Sequence, residues 1–242
     1  MPKLVLGYIG PNASGKTTAT EITKEECLGA ESFRFSTPLR ECQHCINELV
    51  PITGTPREQR EAYAVVLKKV YGEDIIERGL VISPNPLHRF QRRMKKFVFP
   101  LVERRENLQR LSTDIRQIFG EDTFARRMVR DVMASTALVV IVEGIRRRGD
   151  MLALQQMKNF FTAFIDTTLE RCYEWSVPRK ENVGDDVMTF TEFKRAGRRE
   201  AEREIASLIH EADVVIRNNG TKEELVRSVR SLVREKCEEY GV

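Results

Sequence analysis

The sequence has no long hydrophobic run, few aromatic residues and no dense set of cysteines. Across its 242 residues the longest strongly apolar stretch, Leu138 to Val142, is far too short to cross a bilayer. Met-Pro-Lys leads straight into a strand-like run, with neither an apolar signal region nor a small-residue cleavage site. These absences argue against a membrane or secreted protein and lead us to expect a cytoplasmic one. Five cysteines, odd in number and scattered, build no disulfide framework. Cys42 and Cys45 flank His44, yet a structural zinc site needs four ligands. Cys27, Cys172 and Cys237 form no second pair, so Cys42 and Cys45 are expected to pack as small apolar residues on one helix face. No low-complexity linker interrupts the chain. With 41% hydrophobic and 31% charged residues, a packed core is expected and global disorder is excluded.

Charge is close to balanced, at a formal +4, but it is unevenly placed. Between Pro86 and Asp150 there are 15 basic and 8 acidic residues, which leaves the rest of the chain slightly acidic. A basic middle suits a phosphate-bearing partner. Its densest cluster, Arg89, Arg92, Arg93, Lys95 and Lys96, reads as a solvated helix face.

Strand and helix signals alternate at both ends of the chain. Lys3 to Ile9, Ser32 to Ser36, Ala137 to Val142, Phe160 to Asp166 and Asp213 to Arg217 read as strands. A helix is expected from Gly15 to about Leu28. Thr37 with Pro38, Thr55 with Glu58, Thr167 with Glu170 and Thr221 with Glu224 read as helix starts. The middle is helical and charged, broken near Ser83 to Pro86 and at Pro100. It carries a weak repeat: Arg57-Glu58, Tyr71-Gly72-Glu73-Asp74 and Arg78 match Arg105-Glu106, Phe119-Gly120-Glu121-Asp122 and Arg126 at a constant offset. The pattern predicts an α/β fold of three layers around a parallel sheet of about five strands. Residues 37–131 are expected to form a helical insert in one domain spanning 1–242.

The most informative stretch is Gly10-Pro11-Asn12-Ala13-Ser14-Gly15-Lys16-Thr17-Thr18. It satisfies G-x-x-x-x-G-K-[ST] in full, after a strand and before a helix. Glycines at Gly10 and Gly15 permit backbone angles that a side chain forbids. The amides between them then point inward at a helix N-terminus, where the dipole favours an anion. Lys16 is placed for the β- and γ-phosphates of a nucleotide, and the Thr17 hydroxyl for Mg²⁺. The apolar run at Val139 to Val142 ends in Glu143, an acidic residue suited to hold the same metal through water or to assist the acceptor. No N-K-x-D element of GTPases and no L-S-G-G-Q signature of transporter ATPases is present.

Further segments follow in order: Phe35-Ser-Thr-Pro-Leu-Arg40, Leu108 to Arg116 followed by Phe119 to Asp122, Val142-Glu143-Gly144-Ile145-Arg146, and Ala212 to Thr221. Together with the phosphate loop they resemble the nucleoside and deoxynucleoside monophosphate kinase group of P-loop proteins, related to adenylate kinase and dephospho-coenzyme A kinase. The resemblance covers most of residues 3–36 and 103–235. It departs at Glu143, where the group has aspartate, and over Val50 to Leu101, a longer and more basic stretch. It implies an ATP- and Mg²⁺-dependent kinase of a small-molecule acceptor, with nucleic acid and membrane not expected as partners. It implies acceptor-binding roles for Arg40, Asp114, Arg116 and Arg146, with Asp114 orienting Arg116 or meeting a sugar hydroxyl. It implies a lid at 171–200 with catalytic Arg171 and Arg179, and, less strongly, Arg198 and Arg199. Asn218, Gly220 and Thr221 are expected beside the adenine, and Trp175 to cover a base or seal the lid's hinge. Dephospho-coenzyme A kinase is the alternative enzyme. A nucleotide-binding regulator or nucleic-acid-associated ATPase is the alternative of another class.

Overall fold

The computed structural model describes residues 2–102, 104–177, 189–196 and 200–242. Five strands alternate with helices: β1 (Leu4–Ile9), α1 (Lys16–Glu26), β2 (Glu31–Arg34), α2 (Thr37–Leu49), α3 (Pro56–Tyr71), α4 (Ile75–Ile82), α5 (Pro86–Met94), α6 (Arg105–Phe119), α7 (Thr123–Ala134), β3 (Val139–Glu143), α8 (Arg148–Leu154) and β4 (Phe160–Asp166). The chain continues through α9 (Leu169–Ser176), α10 (Phe190–Ala196), α11 (Glu200–Ser207), β5 (Val214–Arg217) and α12 (Lys222–Tyr240). It divides into two compact units, one of Met1–Phe35 with Met128–Val242 and one of Ser36–Arg127. Among the described residues no helix is long and apolar enough to cross a membrane.

The first unit is a five-stranded, all-parallel sheet in the order β2-β3-β1-β4-β5. Its central strands β1 and β3 are buried along their whole length. Continuous apolar runs are what a parallel strand covered on both faces requires. Leu4, Leu6, Tyr8, Val139, Ile141, Ala163 and Ile165 pack with Ala19 and Ile22 of α1 and Leu225, Val229 and Val233 of α12. Val5, Val140 and Val142 alternate with them and are equally buried. In the register of the sheet Tyr8 pairs with Glu143, and Glu143 with Arg34, so three neighbouring strands end at one level.

The second unit is helical. Tyr63, Leu67, Phe90, Met94, Leu111, Ile115 and Phe119 form its buried interior. Edge-on ring pairs link Tyr63 to Phe90 and Phe90 to Phe119, with centroids 5.4 and 5.7 Å apart. Cys42 and Cys45 are buried in α2, and burial pushes the Cys42 thiol up to about 12. The repeat has a structural counterpart. Gly72 and Gly120 each end a helix at φ +115°, and their N–H groups close on Lys68 O and Arg116 O. Arg78, from the first copy, donates to Asp122 of the second at 2.5 Å, and Arg126 donates to the other Asp122 oxygen. Burial alone would raise the Asp122 carboxyl, but these two guanidinium groups hold it below its usual value.

Helix starts fall as expected at Thr55 and Thr221, where full capping boxes form with Glu58 and Glu224. Two starts differ. Ser36 precedes α2 in place of Thr37 and makes no side-chain cap. At α9 the cap is Thr168, not Thr167, because the Thr167 hydroxyl is drawn inward to the phosphate loop.

Candidate active site

The phosphate loop leaves the carboxyl end of β1, the strand between β3 and β4 at which the chain switches sides of the sheet. Such a switch point is where α/β sheets bind ligands. Gly10 takes φ +148°, and a Cβ there would lie 2.6 Å from the Ile165 carbonyl oxygen. Gly15 takes φ +103°, and its Cβ would meet Asn218 Nδ2 at 2.6 Å. Both positions exclude any larger residue. Ala13 is also left-handed, at φ +60°, which costs about 1–2 kcal/mol for a residue with a Cβ. Its methyl group packs in a small cluster with Cys172 and Phe193. Gly15 caps α1 with no side chain, and the first turn holds no acidic residue. No carboxylate there competes with an incoming anion for the first amides. Lys16 Nζ donates to the carbonyls of Gly10 at 2.9 Å and Pro11 at 2.5 Å. Asn12, Thr17 and Thr18 are half-buried at the rim, and Ser14 is fully buried.

Two distant residues brace the loop. Ser14 O accepts from Thr167 Oγ1 at 2.9 Å and from Asn218 Nδ2 at 2.8 Å. These residues follow the ends of β4 and β5, so the sheet itself sets the loop's height. The Asn218 side chain is 3% exposed and committed to this contact. Gly220 abuts the cap of α12, since a Cβ there would lie 1.8 Å from Glu224 Oε2. The brace carries a prediction. Asn218→Ala is expected to cost about 1–2 kcal/mol in denaturant unfolding. It is also expected to weaken binding of ATP, GTP and inorganic tripolyphosphate alike. Loss for ATP alone would mean that Asn218 reads the base.

Glu143 ends β3 beside the loop and is 4% exposed. Thr17 Oγ1 donates to its Oε2 at 3.4 Å. Sequence reasoning missed the third member. Arg34, at the end of β2, places Nε 3.4 Å from Glu143 Oε1 and Nη2 3.5 Å from Thr17 Oγ1. Its register opposite Glu143 is a fact of strand order, and no local motif announces it. Thr17 and Glu143 are hard oxygen donors of the kind Mg²⁺ takes. Among the described residues no group of three or more His, Cys, Asp or Glu could hold a metal ion by itself. Thr17 and Glu143 would suit a magnesium ion whose remaining ligands came from a bound nucleotide and water. Lys16 and the loop amides fit the phosphates themselves.

The other expected residues fall on both units. Arg146 is half-buried just beyond β3. Arg171 lies exposed on α9 and pairs with Glu174 at 3.1 Å. Trp175 packs on the cluster of Ala13, Cys172 and Phe193, so the hinge of the expected lid touches the phosphate loop. Tyr173 meets the rings of Phe190 and Phe193 from α10. Arg179, Arg198 and Arg199 lie outside the described residues. In the helical unit Arg40 is half-buried on α2. Asp114 and Arg116 do not meet, because residues two apart point to different sides of a helix. Asp114 pairs with Arg93 at 3.1 Å, its second oxygen has no hydrogen-bond partner, and burial raises its carboxyl. Arg116, 7% exposed, lies over the Phe124 ring and donates to the Glu121 carbonyl.

A parallel sheet in the order 2-3-1-4-5, with the full phosphate motif after its first strand, defines an α/β fold of the P-loop type. No family model matches the chain. It is 24% identical over 234 residues to a UPF0200/UPF0201 protein of Archaeoglobus fulgidus, covering 95% of this chain and 54% of that one. The chain thus spans about half the length of that relative. A UPF0200 protein of Thermococcus kodakarensis is 25% identical over 206 residues, covering 77% of this chain and 97% of that one. Among solved structures, TT1252 from Thermus thermophilus is similar with a TM-score of 0.52 and 16% identity, over 97% of this chain and 98% of that chain. That likeness is one of fold.

Proposed function

We propose that the chain is an ATP-dependent phosphotransferase whose acceptor is a nucleoside or deoxynucleoside monophosphate. The observation that carries the reading is the meeting of Thr17 and Glu143, 3.4 Å apart, beside a braced phosphate loop. A binding loop alone would serve a switch or a regulator equally well. A buried carboxylate facing the loop's hydroxyl adds what phosphoryl transfer needs, a second oxygen ligand for the metal that accompanies ATP. The acceptor class rests on the ordered motifs that resemble the monophosphate kinases.

In this reading the acceptor oxygen bonds to the γ-phosphorus as the bond from that phosphorus to the bridging oxygen breaks, leaving ADP. The protein's task is to position the groups and neutralise spread negative charge. The amides from Asn12 to Thr18 hold the phosphates, and Lys16 exchanges its carbonyl partners for the β- and γ-oxygens. Thr17 and Glu143 would hold Mg²⁺, which when bound would supply positive charge beside the phosphates. Arg171 and Arg179 neutralise the group in transfer. By the resemblance, Arg146 on the sheet unit and Arg40 and Arg116 on the helical unit are each candidates for the acceptor's phosphate, for which a planar fork is the better donor. Asp114 pairs with Arg93 rather than Arg116, so of its two expected roles the one through Arg116 is not supported.

A panel assay tests the reading: purified protein, Mg²⁺-ATP, each ribo- and deoxynucleoside monophosphate, and dephospho-coenzyme A, with product followed directly. One nucleotide is expected to become its diphosphate. A signal with dephospho-coenzyme A alone would move the assignment to that acceptor. Silence throughout, with ATP still bound, would overturn the kinase reading in favour of a nucleotide-binding regulator.

A further inference from the structure

The C-terminal ends of α1 and α12 bring two thiols together. Cys27 caps the C-terminus of α1, and its Sγ lies 3.2 Å from Sγ of Cys237 near the end of α12. Both residues are half-buried at the edge of the sheet's apolar cluster. The other three cysteines, Cys42, Cys45 and Cys172, are buried. Only this pair therefore combines contact between two elements with access from solvent. The spacing of cysteines in the sequence hides it, because the contact exists only once α12 packs along α1.

We propose that Cys27 and Cys237 form a disulfide site, oxidised by a low-molecular-weight disulfide, that staples the last helix to the first. One thiolate attacks the reagent's disulfide and releases one reagent thiol, leaving a mixed disulfide on the protein. The second thiolate then displaces the remaining reagent thiol. Two protein thiols are oxidised to one bond, the reagent is reduced to two thiols, and the two protons end on those thiols.

The local chain can accommodate the bond. The sulfurs must close from 3.2 Å to about 2.05 Å. Gly29 follows Cys27 and Gly241 follows Cys237, and both stand in open space. The backbone beside each cysteine is therefore not crowded at these two glycines. Burial, and then the adjoining Cys237 thiol, pushes the Cys27 thiol up to about 12. The thiolate is scarce at neutral pH, so the site closes slowly, as a staple rather than a fast sensor. The closed loop contains nearly the whole chain, and in the chain-entropy account long loops yield the larger stabilisation. The bond also joins the far ends of the two elements that flank the phosphate loop. Lys16 opens α1, and Asn218 precedes α12. The proposal does not depend on the phosphotransferase reading.

The test is oxidation of the native full chain with oxidised glutathione, read by thiol count after unfolding, peptide mapping and thermal melting. The count is expected to fall from five to three, with one linked pair of peptides carrying Cys27 and Cys237. The oxidised protein is expected to melt about 5–10 °C above the reduced one. Cys27→Ser and Cys237→Ser should each stop at a single glutathione adduct on the remaining partner and lose the shift. Five thiols after prolonged oxidation, or a bond to any other cysteine, would overturn the site. A bond between these two without a rise in melting temperature would overturn the staple.

Discussion

Lys16→Ala is expected to lower phosphoryl transfer by about 10²–10³-fold, the usual loss when one preorganised donor to transition-state charge is removed. The ammonium is the one side-chain cation within the loop itself, and it already rests on the Gly10 and Pro11 carbonyls. By bridging these two carbonyls the lysine ties the start of the loop to the start of α1 before it engages a ligand. The fold should survive its loss. Loop height is set elsewhere, by Thr167 and Asn218 on Ser14 O, and the Lys16 side chain is only half-buried. The check is turnover of the accepted monophosphate alongside thermal melting. Melting within a few degrees of wild type, with turnover gone, is the expected pair of results. Normal turnover in the variant, with contaminating kinases excluded, would end the phosphotransferase assignment. Lys16→Arg separates charge from shape: a longer, planar cation should restore some affinity for triphosphate and little turnover.

The phosphate loop was legible because its physics is local. Nine consecutive residues carry the backbone angles, the amides, the cation and the hydroxyl. The repeat was legible for a similar reason, since Tyr71-Gly72 and Phe119-Gly120 each encode one helix end. What holds the loop was not legible. Thr167 and Asn218 reach Ser14 across 153 and 204 positions, and only the order of β1, β4 and β5 brings them there. Read locally, Thr167 is a helix cap, yet the buried carbonyl of Ser14 demands a donor and takes its hydroxyl. Thr168 then caps α9 one residue later. Asp114 was drawn toward Arg116 by nearness in sequence, whereas Arg93 reaches it from another helix. Arg34 gave no signal at all, because an arginine at a strand's end looks like any edge residue until strand order sets it opposite Glu143.

Glu143→Gln is the companion experiment, with an expected loss of turnover of about 10²-fold or more. The substitution preserves volume at a site 4% exposed, so packing is not the variable. It removes the negative charge that faces Thr17 and Arg34. Two roles for that charge make different predictions. If Glu143 served only to hold Arg34, Arg34→Ala and Glu143→Gln would act alike, and neither would change the magnesium requirement. If Glu143 serves the metal, the two variants should move in opposite directions. Glu143→Gln raises the Mg²⁺ concentration needed for half-maximal turnover. Arg34→Ala lowers it, because it removes a fixed cation that competes for the same carboxylate. The guanidinium is well placed to compete, at 3.4 Å from one carboxylate oxygen, and partly exposed so that it can swing away. Glu143→Asp adds the third point. It keeps the charge but draws the carboxylate back by one methylene, so the metal should bind more weakly and turnover fall less than in Glu143→Gln. Nucleotide binding without metal supplies the independent readout. It should be unchanged or tighter in Glu143→Gln, where a negative charge near the phosphates has gone. Weaker metal-free binding in that variant would instead make Glu143 a support of the loop.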